Sequence, residues 1–345
     1  MEAVFKAELS ELEKSQITGF CRSARYCAIE QSIGFPAILN NQKITYFYLE
    51  HENSVKSFCQ ISEKFRFAAI WFGPVCDDIE LMLRSLREII DHYKKRRFWY
   101  LGVQLYLKSG YESEYLEYAL NKLYRIKYLF NNENTKASLE IDLDRSISNI
   151  YRNMRKGHKS DIQKALRSGI QIVEAESIGD VKAFAEIYHK MKKTRKINGH
   201  SSAEIEGIFN YIHYNGLGYL LLATDNNNIV LGGALIVKQG ISSRYLISAA
   251  DPGKRDLPMT HLVIFRAIEM AKKEGLRYFD FWGYNHFADK NDQIYNVNLF
   301  KKGFGGYYTF FAKKMNIDLI PGGYNIHRFF SVIKKLKDRL CVGKK

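Results

Sequence analysis

Residues 253–277 read GKRDLPMTHLVIFRAIEMAKKEGLR, and residues 73–97 read GPVCDDIELMLRSLREIIDHYKKRR. Each stretch starts with glycine, proline and acidic residues and ends with basic residues, which is the usual punctuation of a helix start and stop. The strand-like apolar run Arg244–Ala250 precedes residues 253–277, and the run Phe67–Phe72 precedes residues 73–97. An aromatic strand-like run follows each one. Because the spacing is equal, we interpret the stretches as copies of one strand–helix–strand unit, and hence as an internal duplication.

The copy at residues 253–277 belongs to a predicted α/β domain. One half of its helix is apolar and carries Met259, Val263, Ile264, Ala267, Ile268, Met270 and Ala271. Such a helix is predicted to pack on a sheet. Three strand-like runs precede it, Gly218–Thr224, Ile229–Lys238 and Arg244–Ala250, and turn-forming residues separate them. The strand Leu276–Trp282 follows the helix. The predicted fold class is therefore α/β (α+β), with a mixed sheet.

The remaining segments are assigned to two domains. A helical hairpin of Ser146–Ser168 and Asp180–Lys193 is predicted before the meander, and Thr135–Leu143 is predicted as a strand that links the halves. We place the boundary near residue 145, with domain 1 at residues 1–145 and domain 2 at residues 146–345. The stretch Asn325–Leu340 is predicted as a basic amphipathic helix, which packs on its own domain or lies on a membrane.

Composition favours a folded cytoplasmic protein. A chain of 345 residues is long for one core and suits two domains. No apolar run of about 18 residues is present, so no transmembrane helix is expected. The five cysteines are scattered and form no C-x-x-C pair. This usage is typical of reduced thiols in the cytoplasm.

The net charge of +15 concerns partners rather than fold. Basic residues concentrate in three stretches, 94–97, 152–167 and 190–196. Such clusters suit a polyanion, namely RNA, a nucleotide-linked substrate or an anionic membrane face. The alternative is that they are solvated helix faces and favourable helix ends.

Four pieces of the sequence resemble the FemABX aminoacyltransferases. They are SISNIYRNMRKGHKSDIQKALRSGI (146–170), GLRYFDFWG (275–283), LFKKGFGG (299–306) and the shorter FGP (72–74). The resemblance covers most of residues 65–310. It implies two tandem GNAT-like domains (the N-acetyltransferase fold) with mixed, largely antiparallel sheets. It also implies transfer of an amino acid from aminoacyl-tRNA to an amine of a peptidoglycan precursor.

The resemblance assigns the reacting centre to Phe300 and Lys301, because the family carries a Phe-Lys pair ahead of a Gly-Phe-Gly stretch there. Acyl transfer passes through a tetrahedral intermediate with a negative oxygen, and each donor or cation aimed at that oxygen contributes about 2.7–4 kcal/mol. We expect the Lys301 ammonium and nearby main-chain N–H groups to face it. Without the resemblance, Lys301 is interpreted as a surface lysine beside Lys302.

Five residues are candidates for substrate binding. The resemblance places Arg195, with Lys196 in reserve, against the diphosphate of a nucleotide-linked acceptor, since an arginine fork suits phosphate. Asp280 is a candidate for orienting the acceptor amine or accepting a proton, or else for bonding a neighbouring loop. Tyr245 and Tyr284 are candidate cleft residues, although aromatic residues on strands are more often core. No unique general base emerges.

No cofactor is expected beyond the acyl donor. The preferred donor is aminoacyl-tRNA, and the alternative is acyl-CoA with a polysaccharide or lipid-linked sugar as acceptor. CoA-using members of the fold cradle the pyrophosphate in a glycine-rich turn at a helix N-terminus. Residues 251–258 read DPGKRDLP and lack that turn, which favours the tRNA donor. No metal is expected, because no metal-ligand spacing of histidines is present.

The acceptor expected is a nucleotide- or lipid-linked glycan or peptide, which places the enzyme in the cytoplasm with peripheral contact at the inner membrane face. Residues 31–36, in the first domain, offer no basic residue for a second phosphate contact, and this counts against a muramyl-nucleotide acceptor. A further alternative is a non-catalytic module that binds RNA or membrane through the basic clusters. That reading leaves the FKKGFG stretch unexplained.

Overall fold

A computed structural model describes residues 1–35, 43–129 and 137–329 of the chain. The first half forms β1 (Glu2–Lys6), α1 (Glu11–Cys21), β2 (Lys43–His51), β3 (Ser54–Lys64), β4 (Phe67–Trp71), β5 (Val75–Cys76), α2 (Ile79–Lys95), β6 (Tyr100–Gln104), α3 (Tyr111–Asn121) and β7 (Ile126–Leu129). The second half forms β8 (Ala137–Asp142), α4 (Ile147–Asn153), α5 (Lys156–Arg167), β9 (Gln171–Glu174), α6 (Ile178–Arg195), α7 (Ser202–Tyr214), β10 (Gly218–Thr224), β11 (Val230–Gln239), β12 (Ser242–Ala250), α8 (Met259–Lys273), β13 (Tyr278–Asp280), α9 (Gln293–Gly303), β14 (Tyr307–Phe310) and β15 (Lys314–Asp318).

These elements build two units, each around one mixed sheet. The sheet of unit 1 has the order β1-β2-β3-β4-β6-β15-β7, with β5 paired to β3. The sheet of unit 2 has the order β14-β8-β13-β12-β11-β10-β9. Within each sheet the pairing is antiparallel except at one place, β4 with β6 in unit 1 and β12 with β13 in unit 2. The prediction of mixed, largely antiparallel sheets is confirmed.

The predicted duplication is visible in the connections. In each unit an antiparallel meander leads into a long helix that crosses over to a parallel strand, as β4–α2–β6 and as β12–α8–β13. The apolar side of α2 is buried through Met82, Leu86, Ile89 and Ile90. The apolar side of α8 is buried through the residues that the sequence pattern selected, except that Met270 is only partly buried. Both helices therefore anchor the core of their own unit.

The division of the chain differs from the predicted boundary at residue 145. Among the described residues, unit 1 comprises 1–34, 43–129 and 311–329, and unit 2 comprises Phe35 and 137–310. Strand β8, predicted as a link, pairs with β13 and β14 inside unit 2. Strand β15, predicted within the second domain, lies between β6 and β7 of unit 1, where Met315 and Ile317 are buried in the core. Strand pairing over a long sequence separation is the reason for both differences.

The helical hairpin predicted for Ser146–Ser168 and Asp180–Lys193 is wrong in two respects. The first helix is interrupted, because Met154 and Arg155 adopt extended backbone angles between α4 and α5. The break lets the Arg155 N–H donate to the carbonyl of Gly303 at 2.9 Å, while Met154 is buried. In addition, the edge strand β9 separates α5 from α6, and it pairs with β10.

The C-terminal basic helix predicted for Asn325–Leu340 falls largely outside the described residues, which end at Phe329. Its packing therefore stays a prediction. Across the three described ranges, no helix combines the length and the apolar character needed to cross a bilayer.

Candidate active site in the second unit

The predicted catalytic pair lies in the last turn of α9. Phe300 is partly buried and packs on the core of unit 2. Lys301 is only 6% exposed, whereas Lys302 is exposed. The Lys301 ammonium donates to the main-chain oxygens of Trp282 at 2.5 Å and of Gly283 at 3.2 Å. The alternative of a surface lysine therefore describes Lys302 and not Lys301.

The burial of Lys301 changes its acid–base behaviour. Removal from water disfavours the charged form and lowers the pKa of Lys301 to about 8, and the negative charge of Asp280 acts in the opposite direction. An ammonium has three N–H donors, and two of them are used by the carbonyls. The side chain is thus a cation at neutral pH, and it loses its proton at a pH only slightly above neutral.

The two carbonyls belong to a turn with unusual backbone angles. Trp282 has φ +47° and Gly283 has φ +55°, so two successive residues occupy the left-handed region. This region costs roughly 1–2 kcal/mol for a residue with a Cβ such as Trp282. Gly283 is exposed, and a Cβ placed on it would lie 3.9 Å from Lys301 Nζ. Lys301 therefore supports an exposed turn from its buried side, close to the surface.

Asp280 is fully buried beside this turn. Its Oδ1 accepts a hydrogen bond from the Trp282 N–H at 2.7 Å and another from the Ser138 hydroxyl. Its Oδ2 lies 3.5 Å from Arg244 Nε, in an ion pair, and accepts no hydrogen bond from the part of the chain that the structure describes. The Arg244 guanidinium also lies 3.8 Å above the Trp282 ring. A buried carboxylate oxygen without a hydrogen-bond donor carries a desolvation cost.

A row of polar side chains crosses the sheet at this level. Arg244, Asp280, Glu140 and Tyr307 are successive cross-strand neighbours on β12, β13, β8 and β14, so they share one face. The Tyr307 hydroxyl donates to Glu140 Oε2 at 3.2 Å. Sequence reasoning missed Arg244 and Glu140. The available signal was the alternation of Ser138 and Glu140 with apolar residues along β8, which separates a polar face from a core face.

The candidate tyrosines lie at two places. Tyr284 follows the turn, and its hydroxyl donates to Tyr308 at 3.3 Å. Burial and that bond raise the pKa of Tyr284 to about 12. Burial raises the pKa of Tyr245, and the hydrogen bond with Ser248 and the positive charge of Arg195 partly offset that rise.

Arg195 and Lys196 are exposed at the end of α6. Lys196 has left-handed backbone angles that end the helix. The structure thus brings Lys301, Asp280 and Tyr284 together at the turn, and it places Arg195 in the surroundings of Tyr245. The binding and catalytic roles of all these residues stay predictions. Among the described residues, no group of three His, Cys, Asp or Glu side chains is arranged to hold a metal ion.

Comparisons with known proteins bear on this part of the chain. Residues 220–330 match the model of the FemAB family. The lipid II:glycine glycyltransferase of Staphylococcus haemolyticus (strain JCSC1435) is 33% identical over 124 residues, which cover 36% of this chain and 28% of that protein. Over residues 220–330 this chain resembles the FemAB family. The match spans little more than a quarter of that relative's own length. The stretch that matches the family model, residues 220–330, includes the Trp282–Gly283 turn and Lys301, and we call it the FemABX-like stretch.

Solved structures show a likeness in fold that covers nearly the whole chain. The crystal structure of FemX superimposes with a TM-score of 0.80 at 16% identity and covers 94% of this chain and 99% of that one. A tandem GNAT protein from the clavulanic acid biosynthesis pathway gives a TM-score of 0.51 at 9% identity, with coverage of 93% and 99%. At these identities the likeness concerns the fold alone. The prediction of two tandem GNAT-like domains is confirmed.

Proposed function

We propose that this chain is an enzyme that transfers an aminoacyl group from aminoacyl-tRNA to an amine of a cell-wall precursor. The observation that carries the proposal is the buried Lys301 ammonium, which lies beneath an exposed turn and within electrostatic range of Asp280, in the FemABX-like stretch. A relative that is 33% identical over 124 residues is named for glycyl transfer to lipid II. We extend the acceptor class, a lipid- or nucleotide-linked glycan peptide, to this chain.

The chemistry requires charge stabilisation at one oxygen. The acceptor amine attacks the ester carbonyl carbon of the donor, and the carbonyl oxygen becomes negative in the tetrahedral intermediate. Collapse of the intermediate forms the amide, breaks the ester bond and releases the ribose hydroxyl, which takes up a proton as the amine loses one. The third N–H of Lys301 supports the role of stabilising that oxygen, since a preorganised cation in a site of low dielectric constant is effective there.

The N-terminal region of α8 supports tRNA over acyl-CoA as the donor. Ahead of that helix, Asp251 Oδ1 accepts a hydrogen bond from the Gly253 N–H at 2.9 Å, so an internal carboxylate already binds a main-chain donor that a pyrophosphate would need. The N-cap residue, Pro258, has no N–H to offer. An acid at this position also repels a phosphate. The net charge of +15 suits RNA.

Peripheral contact with the inner membrane face belongs to the same proposal. A lipid-linked acceptor brings its enzyme to a bilayer that carries anionic lipids. A basic protein is attracted to such a surface by about 1 kcal/mol for each lysine or arginine that approaches it.

The donor assay tests the proposal directly. The full chain is incubated with a lipid-linked muropeptide and with either a mixture of ¹⁴C-aminoacyl-tRNAs or ¹⁴C-acetyl-CoA, and the label in the acceptor is counted. We expect label from aminoacyl-tRNA and none above background from acetyl-CoA. Label from acetyl-CoA alone would establish the acyl-CoA alternative, and label from neither donor would exclude both.

A further inference from the structure

The last turn of α9 carries Phe300 and Lys301, and its Phe300 carbonyl receives no hydrogen bond from the N–H four residues on. The Phe304 N–H donates to the carbonyls of Lys301 and Lys302, and not to Phe300. The Phe300 oxygen is instead 2.8 Å from Nε2 of His158, a residue of α5. A carbonyl oxygen only accepts, so this nitrogen carries the hydrogen. His158 thus caps the C-terminal end of α9 from a different helix.

The imidazole ring of His158 occupies the space next to Gly303. A Cβ added to Gly303 would lie 1.9 Å from Cε1 and 2.1 Å from Nε2 of His158. Any larger residue at position 303 would therefore displace the ring. The Gly303 oxygen also accepts from the Arg155 N–H at 2.9 Å, one turn before His158. The start of α5 consequently holds the end of α9 at two carbonyls one turn apart, those of Phe300 and Gly303.

Aromatic neighbours hold the His158 ring in one orientation. The His158 ring meets Phe304 edge to face with centroids 4.8 Å apart, and it meets His261 in the same manner at 4.6 Å. His261 in turn lies 3.5 Å from the carboxylate of Asp161. The Phe304 side chain is fully buried. The ring therefore has little rotational freedom, and the direction of its N–H is set by packing.

We propose that His158 is a positioning residue for catalysis: its hydrogen bond to the Phe300 carbonyl holds the last turn of α9 so that the Lys301 ammonium stays under the Trp282–Gly283 turn. This inference rests on the proposed function, since it assumes that Lys301 acts in the transfer. His158 contacts the peptide adjoining Lys301 and does not touch the reacting atoms. A misplacement of about 1 Å at a catalytic group lowers the rate by roughly 10²-fold, so a lost cap affects turnover more than substrate binding.

Two substitutions separate the hydrogen bond from the packing. His158→Gln retains a side-chain N–H donor of similar reach, whereas His158→Leu fills the space without a donor. We expect His158→Leu to lower kcat by about 10- to 100-fold with KM changed less than about threefold, and His158→Gln to recover to within about fivefold of the wild type. His261→Phe is the matched control, because His261 belongs to the same ring cluster but caps no carbonyl of α9; its kcat is expected to stay within about threefold.

Coupling to Lys301 tells positioning from a general loss of structure. In a Lys301→Met background, His158→Leu is expected to cause no further loss of kcat, because the group that it positions is gone. An equal loss in both backgrounds would overturn the proposal. So would a His158→Leu protein whose kcat for each folded molecule equals that of the wild type.

A second measurement does not depend on activity. Competitive amine labelling with acetic anhydride, followed by mass spectrometry, reports the accessibility of Lys301 with the exposed Lys302 as internal reference. We expect His158→Leu to raise the Lys301 to Lys302 labelling ratio at least about fivefold, and His158→Gln and His261→Phe to leave it within about twofold. An unchanged ratio in a folded His158→Leu protein would overturn the positioning role. Absence of transferase activity in the wild type would instead remove the proposed function while this ratio still tests the cap.

Discussion

The sheet of each unit contains a buried carboxylate that lies next to an arginine, Glu63 in unit 1 and Asp280 in unit 2, and the two differ in their hydrogen bonding. Glu63 in unit 1 accepts hydrogen bonds from Thr45 and Tyr93 at 2.7 Å each and from the Arg96 fork at 2.6 and 3.2 Å. Asp280 in unit 2 meets its arginine only at 3.5 Å, and its Oδ2 accepts no hydrogen bond within the described ranges. A buried carboxylate with all its hydrogen bonds made rigidifies a fold, while a buried oxygen without a donor carries a desolvation cost.

The pKa of Glu63 expresses the same difference. Burial alone would raise it, but the hydrogen bonds from Arg96, Thr45 and Tyr93 together outweigh burial and lower the pKa to about 2. Unit 2 places its second cation, Lys301, near Asp280, and there burial lowers the pKa of the lysine to about 8. Unit 1 thus contains a hydrogen-bonded ion pair that favours the charged form of Glu63. Unit 2 contains a buried lysine whose charged form is disfavoured by burial.

The largest effect is expected from Lys301→Met. Removing the cation should lower turnover by about 10²–10³-fold, since it is the group proposed to stabilise the negative oxygen. Lys302→Met, one residue along the same helix and exposed, should stay within about threefold. Initial rates of label transfer for both proteins provide the measurement. A loss below tenfold in a folded Lys301→Met protein would remove Lys301 from the mechanism.

The second prediction exchanges the two carboxylates for amides. Glu63→Gln should lower the free energy of unfolding by about 3 kcal/mol, because it leaves the Arg96 charge without its partner. The contribution of ionised Glu63 to the free energy of unfolding is fully present above pH 4.5 and is lost as the pH falls towards 2. The difference in stability between the wild type and Glu63→Gln should therefore shrink over that range. Asp280→Asn also leaves a buried arginine, Arg244, without its charged partner, so it should lower the free energy of unfolding by a similar amount, and it should lower turnover at least about tenfold. Urea unfolding monitored across pH measures the stability of both variants, and initial rates measure turnover; only Asp280→Asn is expected to lower the turnover of each folded molecule.

The third prediction concerns the pH dependence of transfer. A group with its pKa lowered to about 8 carries its charge below that pH and loses it above. If the ammonium is the active form, kcat should fall about tenfold for each pH unit above about 8. The measurement is a kcat profile between pH 6.5 and 10 with a pre-formed amide product as stability control. A rate that rises through pH 8 would instead identify the neutral amine as the active form.

The smallest effect compares the two crossover helices. Asp78 caps α2 by accepting from the Leu81 N–H at 2.8 Å, whereas the N-cap of α8, Pro258, makes no such bond. Asp78→Ala should therefore lower the free energy of unfolding by about 1 kcal/mol, and Asp78→Ser should restore most of it. Thermal unfolding of the three proteins checks this. Equal stability of the Ala and wild-type proteins would show that the cap adds nothing to α2.

Local pattern was sufficient for the elements of each copy. The apolar stripe of α8, the acidic start of α2 and the strand Gly218–Thr224 were all predictable, because they depend on periodicity and on capping within a few residues. Position 301 was selected by its resemblance to a family motif. Neither the burial of Lys301 nor its two carbonyl partners follow from the neighbouring residues, because the local sequence does not distinguish Lys301 from Lys302.

Other features depended on contacts between distant residues. His158 and Phe300 are separated by 142 positions, and so no window of sequence pairs them. The same holds for the row formed by Arg244, Asp280 and Glu140, which requires the strand order β12-β13-β8. The interruption of the helix at Met154 has the same origin, because the Arg155 N–H bonds Gly303 instead of continuing a helix.

The amino-acid sequence by itself determined the repeated strand–helix–strand unit, the α/β class and the stretch that holds the candidate site, because periodicity, helix punctuation and motif order are local properties. Only the tertiary structure decided that β15 joins the sheet of unit 1 and that one of two neighbouring lysines is buried against the Trp282–Gly283 turn. Burial and strand pairing are set by which remote surfaces exclude water together, and this free energy is not encoded at any single position.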